Sequence, residues 1–166
     1  MAQAASRVYI LTLGAVSIST GISLVQVVTG AKAPLQIIRA TVSQSSSTTS
    51  TQQRVQLNKK KTTAATVTSQ TPALLGPSTD PAANAVGGAA LSGVNASAEG
   101  TDDVVAFQDV FNYLNGWIFL PTPKEYVNCD SGGVTASING GVVIKLPAAP
   151  GSAVTLVSNL VFEELN

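Results

Sequence analysis

The chain has 166 residues, 45% apolar but only 11% charged, with nine cations, nine carboxylates, no histidine and one cysteine. That length suits one domain with a real core. The missing histidine and second cysteine exclude His-based triads and dyads, most zinc sites and any disulfide within the chain. So little charge does not keep copies apart, which favours burial against other chains over a monomer coated in hydroxyls.

In chain order, residues 1–6 form a short arm of small residues. From Val8 to Ala31 there is no charge, yet Thr12, Ser17, Ser19, Thr20, Ser23 and Gln26 interrupt the apolar run, so a membrane span is not expected. Arg7 alone is a poor charged start for a signal peptide. Valine, isoleucine and threonine predict strands instead, at Arg7–Leu13 and Ile22–Val28, joined by a loop or bulge over Gly14–Gly21. Further strands are expected at Leu35–Gln44, at Gln52–Lys59, where Val55 and Leu57 share a face, and at Thr62–Ser69. Ser45–Thr51 is a polar, low-complexity loop. Residues 71–100 carry three prolines and five glycines and predict one long irregular loop, with a helical turn at Asp80–Ala85 capped by Asp80 and a strand near Ala89–Ala98. Loops of that length usually bind something or pack on a neighbour.

The stretch from Asp102 to Val127 holds six of the eight aromatic residues, with Asn115-Gly116 at its centre. Asn-Gly between apolar runs predicts a hairpin. Phe107, Phe111 and Tyr113 share one parity before the turn, and Trp117 and Phe119 one after it, so at least one face of this hairpin is expected to be buried. Short strands follow at Gly133–Ile138 and Val142–Leu146. A last strand over Val154–Leu165 carries a possible bulge at Ser158-Asn159.

Charge divides along the chain. Residues 1–61 carry seven cations and no anion; residues 62–166 carry two cations against nine carboxylates, a local −7. Either the fold presents complementary faces, or strands from the two halves interleave and the charges mix. Lys59-Lys60-Lys61 is the one basic run. Without interleaved aromatics or an amphipathic helix it predicts a solvated hairpin end, not a nucleic-acid or membrane contact. A meeting with an acidic patch on a partner protein stays open.

Carboxylates such as Asp109 and Glu125 invite comparison with glycosidases, but adjacent acids like Glu163-Glu164 point to opposite faces of a strand and make no ready pair. Trp117 and Tyr113 could form a sugar-binding platform; core aromatics are the plainer reading. Cys129 reads as a small side chain near a strand end. Asp109 shares the parity of Phe107 and Phe111, and on a buried face it would need hydrogen bonds, for instance at a subunit contact. No cofactor, no metal and no enzymatic activity are expected.

The runs ISLVQVVTGAKAPLQIIRATVSQ, FNYLNGWIFLPTPKE, LPAAP and LVFEEL resemble the small jelly-roll structural proteins of tailed bacteriophages, the capsid cement or decoration proteins. The likeness spans most of the chain and is one of general style. It implies location on the virion capsid surface, a homo-oligomer, expected as a trimer, and the major capsid protein as partner.

The expected fold is therefore a single all-β domain over 1–166, an antiparallel two-sheet β-sandwich of jelly-roll type with one long irregular loop. The candidate interface comprises Arg7, Lys59, Lys60, Lys61, Leu74, Leu75, Asp109 and Trp117. The alternative is a carbohydrate- or receptor-binding module of a phage tail or fibre.

Overall fold

The computed structural model describes residues 7–45, 50–77, 81–85, 91–101, 104–132, 134–135 and 138–165; the expected arm at 1–6 and the expected cap Asp80 lie outside them. The described residues form no helix. Their strands are β1 (Val8–Ile18), β2 (Ser23–Val28), β3 (Leu35–Gln44), β4 (Gln52–Lys60), β5 (Thr66–Ser69), β6 (Ala73–Leu74), β7 (Gly93–Ala98), β8 (Val104–Asn112), β9 (Trp117–Phe119), β10 (Asn128–Cys129), β11 (Val134–Thr135), β12 (Ile138–Asn139), β13 (Gly141–Lys145) and β14 (Val154–Glu164).

They build an antiparallel β-sandwich. One sheet runs β10-β3-β14-β1-β6, with β9 also on β3; the other runs β5-β7-β2-β13-β4-β8; β11 and β12 make a separate small hairpin. Strands from both halves of the chain alternate in each sheet. β13 lies between β2 and β4, and β14 between β1 and β3, so the charge asymmetry of the sequence mixes in space.

Period-2 alternation decides what enters the core. Tyr9, Leu11, Leu13, Leu35, Ile37, Leu156, Leu160 and Phe162 of one sheet meet Leu24, Val27, Val55, Leu57, Val142 and Ile144 of the other in one continuous buried cluster. Each such fully buried side chain contributes roughly 1.5–3 kcal/mol relative to exposure. β1 keeps its inward set along its whole length only because a bulge resets the phase. The register with β14 shifts between Leu13 and Val16, so Ile18 points inward as Leu13 does, and the strand extends five residues beyond the expected end. The bulges facing β14 are on its neighbours, on β1 and at Ile38 of β3, and not at Ser158-Asn159. Ser158 alternates in phase with its strand, is buried and donates its hydroxyl to the Thr41 carbonyl.

The expected hairpin at Asn115-Gly116 does not form. β8 belongs to one sheet and β9 to the other, and the turn carries the chain across the sandwich. A tight hairpin of this kind needs positive φ at both central residues, but only Gly116 has it, at 67°. The amides of Asn115 and Gly116 both donate to the Asn112 carbonyl, and the Asn112 side chain accepts from the Leu114 amide. The result is a single helix-like turn closed by a left-handed glycine, which redirects the chain instead of folding it back.

In the stretch from residue 71 to 100 the strand expected near Ala89–Ala98 forms as β7, and β6 is an additional strand where only loop was expected. The stretch contributes β6 to one sheet and β7 to the other, both at the same side of the sandwich. Residues 81–85 form no helical turn. They are pinned to the sheet: Tyr9 donates to the Pro81 carbonyl, and Glu164 accepts from Asn84 and from the Ala85 amide.

Candidate protein interface

The two long sides of the sandwich are built differently. On the first side β2 is covered along its length and β1 over its first half. β6 pairs with Tyr9 and Ile10 of β1. Farther along β1, the Gln70 side chain both donates to the Thr12 carbonyl and accepts from the Thr12 amide. β7 pairs with β2, and β5 with β7. Gly93 permits this, because a Cβ there would stand 2.2 Å from the Thr68 carbonyl oxygen. All six residues of β2 are buried, including polar ones. Gln26 donates to the Ala65 and Leu91 carbonyls and accepts from the Ala65 amide. Ser23 donates through its amide and its hydroxyl to the Glu99 carboxylate, which also pairs with Lys145 at 3.3 Å.

The basic run joins this layer and forms no solvated end. Alternation puts Lys59 and Lys60 on opposite faces of β4. Lys60 is fully buried and donates its ammonium to the Glu99 carbonyl at 2.6 Å; Lys59 and Lys61 are partly buried.

The second side is open. β8 and β9 are edge strands of their two sheets, and they meet across the sandwich through rings. Phe107 lies 4.9 Å from Phe119 and 6.4 Å from Trp117, and Phe111 packs edge-on to Tyr113. Under them Trp117, Phe119, Phe111 and Tyr113 are buried. Between the two edges lies a cleft of about 430 Å³ lined by Ala106, Phe107, Ile118, Leu120, Pro121 and Val127 among others.

Of the ten large apolar residues exposed on the described surface, eight belong to this side: Val104, Val105, Phe107, Val110, Leu114, Ile118, Leu120 and Tyr126. At 38 to 62% exposure each, they present apolar surface on the order of several hundred Å². That is at or above the largest patch of an ordinary monomer and comparable with one partner's share of a standard interface, ~800 Å². Every residue from Val104 to Val110 is exposed.

The expected interface residues do not gather in one place. Asp109 lies on this open side. Trp117 is beneath it, 6% exposed, and its indole nitrogen has no hydrogen-bond partner among the described residues. Leu74 is on β6, partly buried against the core, and Leu75 beside it is exposed. Arg7 is partly buried at the start of β1, its carbonyl accepting from the Glu164 amide. Val104, Val105, Val110, Ile118 and Leu120 were readable as candidates. Ile118 and Leu120 have the parity opposite to buried Trp117 and Phe119, and a short strand that is apolar on both faces must find cover on both.

Cys129 on β10 is buried and free. Burial pushes its thiol up to about 12, the Lys59 ammonium opposing and the Asp130 carboxylate adding to the rise, so its environment is that of a core residue. Burial likewise raises the Tyr113 hydroxyl, which donates to Gln53 at 3.0 Å. Among the described residues no group of three or more His, Cys, Asp or Glu could hold a metal ion, and no helix is long and apolar enough to cross a membrane.

Comparison with protein-family models, with curated proteins and with solved structures finds no match.

Proposed function

We propose that this chain is a structural subunit of a virion, a capsid cement or decoration protein that assembles with copies of itself and stabilises the head shell by protein contacts. The observation that carries the reading is the open apolar side formed by β8, β9 and the turn between them. Eight exposed large apolar side chains concentrated along one side of the sandwich mark a protein contact, and a chain of zero net charge with 11% charged residues sets up little repulsion between its own copies.

The strand order supports the jelly-roll part of the reading. Leaving aside the short additions, the sheets run β9-β3-β14-β1 and β8-β4-β13-β2. The strands β1, β2, β3 and β4 alternate between the sheets, and β8, β9, β13 and β14 alternate back. That winding is the one expected of two interlocked Greek keys, the arrangement found in capsid and lectin domains. Step from fold to virion is an analogy, resting on the resemblance in style to phage cement proteins, which makes a trimer the expected assembly and the major capsid protein the expected partner. The carbohydrate-binding alternative needs Trp117 or Tyr113 at the surface, and both are buried.

Light scattering at low and at high salt tests the assembly, and co-sedimentation with isolated phage head shells tests the partner. A salt-resistant oligomer that sediments with the shells is expected. A monomer under all conditions that stays in the supernatant overturns the proposal.

A further inference from the structure

β8 is unlike the other edges of the sandwich. Where the sheets end, β5 has four residues, β9 three, and β6 and β10 two each, whereas β8 has nine; the other long strand with a free side, β1, is covered over Val8–Thr12 by β6 and Gln70 and is broken by its bulge beyond Leu13. Short edges offer little template to another strand; a long one is an invitation to pair. The sequence of β8 sharpens the hazard. Val104–Phe111 reads VVAFQDVF: β-branched and aromatic, without proline or glycine, and with one charge. Segments of this kind stack on identical copies of themselves.

The one charge is Asp109, and the geometry gives it a task. The Tyr113 amide donates to the Thr51 carbonyl, and the residues of β8 pair one-to-one with β4 from Asn112 back to Phe107. In an antiparallel ladder the backbone groups of alternate residues point to alternate sides. The odd-numbered residues of β8 therefore bond to β4, and Gln108, Val110 and Asn112 turn their amides to the edge. Asp109 Oδ1 accepts the Val110 amide at 2.7 Å. The carboxylate thus occupies a donor that an incoming strand would use, and places a negative charge beside it. Three residues away the pairing with β4 slips, leaving Ala106 as an extra residue. Such a bulge breaks the regular edge.

We propose that Asp109 is an edge guard: it prevents the β8 strand of a second copy from adding to this one and so keeps the apolar side available for contacts between side chains. The partner excluded is a second copy because the hazard is a segment that matches itself. The proposal goes beyond the capsid reading and holds whatever the mass of the native assembly.

The test follows the mass of the full chain with time by light scattering, with thioflavin fluorescence as a readout for cross-β growth. The native protein is expected to hold its mass. Asp109→Val, which removes both the acceptor and the charge, is expected to give a mass that climbs with time and a rising thioflavin signal. Adding Val110→Pro to that variant removes the edge amide itself, on the solvent side where proline is tolerated, and is expected to return the mass to the native value. Should Asp109→Val lose the native far-UV circular dichroism, Asp109→Asn decides the matter: it keeps the side-chain volume without the charge and must still grow faster than the native chain. A variant that folds and holds the native mass, or a double variant that grows as fast as Asp109→Val, overturns the proposal.

Discussion

The two long sides of this sandwich invert the usual rule of burial. On the β1–β2 side, polar residues are buried: Ser23, Gln26, Lys60 and Ser92. On the β8–β9 side, apolar residues are exposed. Exposed leucines scattered singly are ordinary, but buried polar groups and contiguous apolar patches are informative. These four polar residues have partners. Gln26 makes three hydrogen bonds to the layer above it, and Glu99 gathers Ser23 and Lys145. That side is finished within the chain. The exposed valines, Ile118 and Leu120 have no such cover, and the energy of burying them is available only to another molecule. The same excursion of about 40 residues between β4 and β8 explains both facts, because all of its described strands go to one side.

The contrast can be broken from either side. The largest effect is expected from Ile118→Lys combined with Leu120→Lys. Placing ammonium groups in an apolar contact costs several kcal/mol per buried ion, so light scattering should show the proposed assembly reduced to monomers. Circular dichroism and melting should stay near native, since both positions are exposed in the single chain. An oligomer that persists would move the contact elsewhere.

On the closed side, Gln26→Ala leaves the Ala65 amide and two carbonyls without partners. At about 1–3 kcal/mol for each unsatisfied buried group, a loss on the order of 3 kcal/mol is expected in urea unfolding, with the mass in solution under native conditions unchanged. A smaller effect should appear in alkali. The Cys129 thiol ionises near its ordinary 9.0 when unfolded but only at about 12 when folded. Its contribution is therefore complete below pH 9 and is lost as the pH rises through that window, by roughly 1.4 kcal/mol at pH 10. Tyr113, also raised from 10.0, adds to the loss in the same direction at higher pH. Urea titrations at pH 8 and pH 10, repeated with Cys129→Val, isolate the thiol; an equal fall in that variant would assign the effect elsewhere. The smallest change is expected for Leu75→Ser. Leu75 is as exposed as the residues of the open side but is separate from them, so the stability should move by less than about 0.5 kcal/mol and the mass not at all.

Much of the sandwich was legible without coordinates. β3 follows from LQIIRATVSQ, Val55 and Leu57 share a buried face as their spacing predicts, and β14 spans nearly the expected residues, because strand alternation is a local property that each segment carries by itself. The aromatic stretch buries one face as its parity predicts, through Phe111, Tyr113, Trp117 and Phe119. Its turn was misread, since Asn-Gly allows a hairpin but does not oblige one: Asn115 stays at negative φ, and the strands on either side find better partners in β4 and β3 than in each other.

What the chain determined by itself is therefore its strands and which face of each is apolar. Which strands became edges was decided by tertiary pairing alone. Nothing within VVAFQDVF tells that its one neighbour is β4, with 43 residues between the two strands, or that its other side stays open. Lys60 looked like part of a solvated run until Glu99 was folded over it. Local sequence sets the pattern of side chains; exposure depends on what the rest of the chain brings alongside, and that is a property of long-range contacts which no local spacing records.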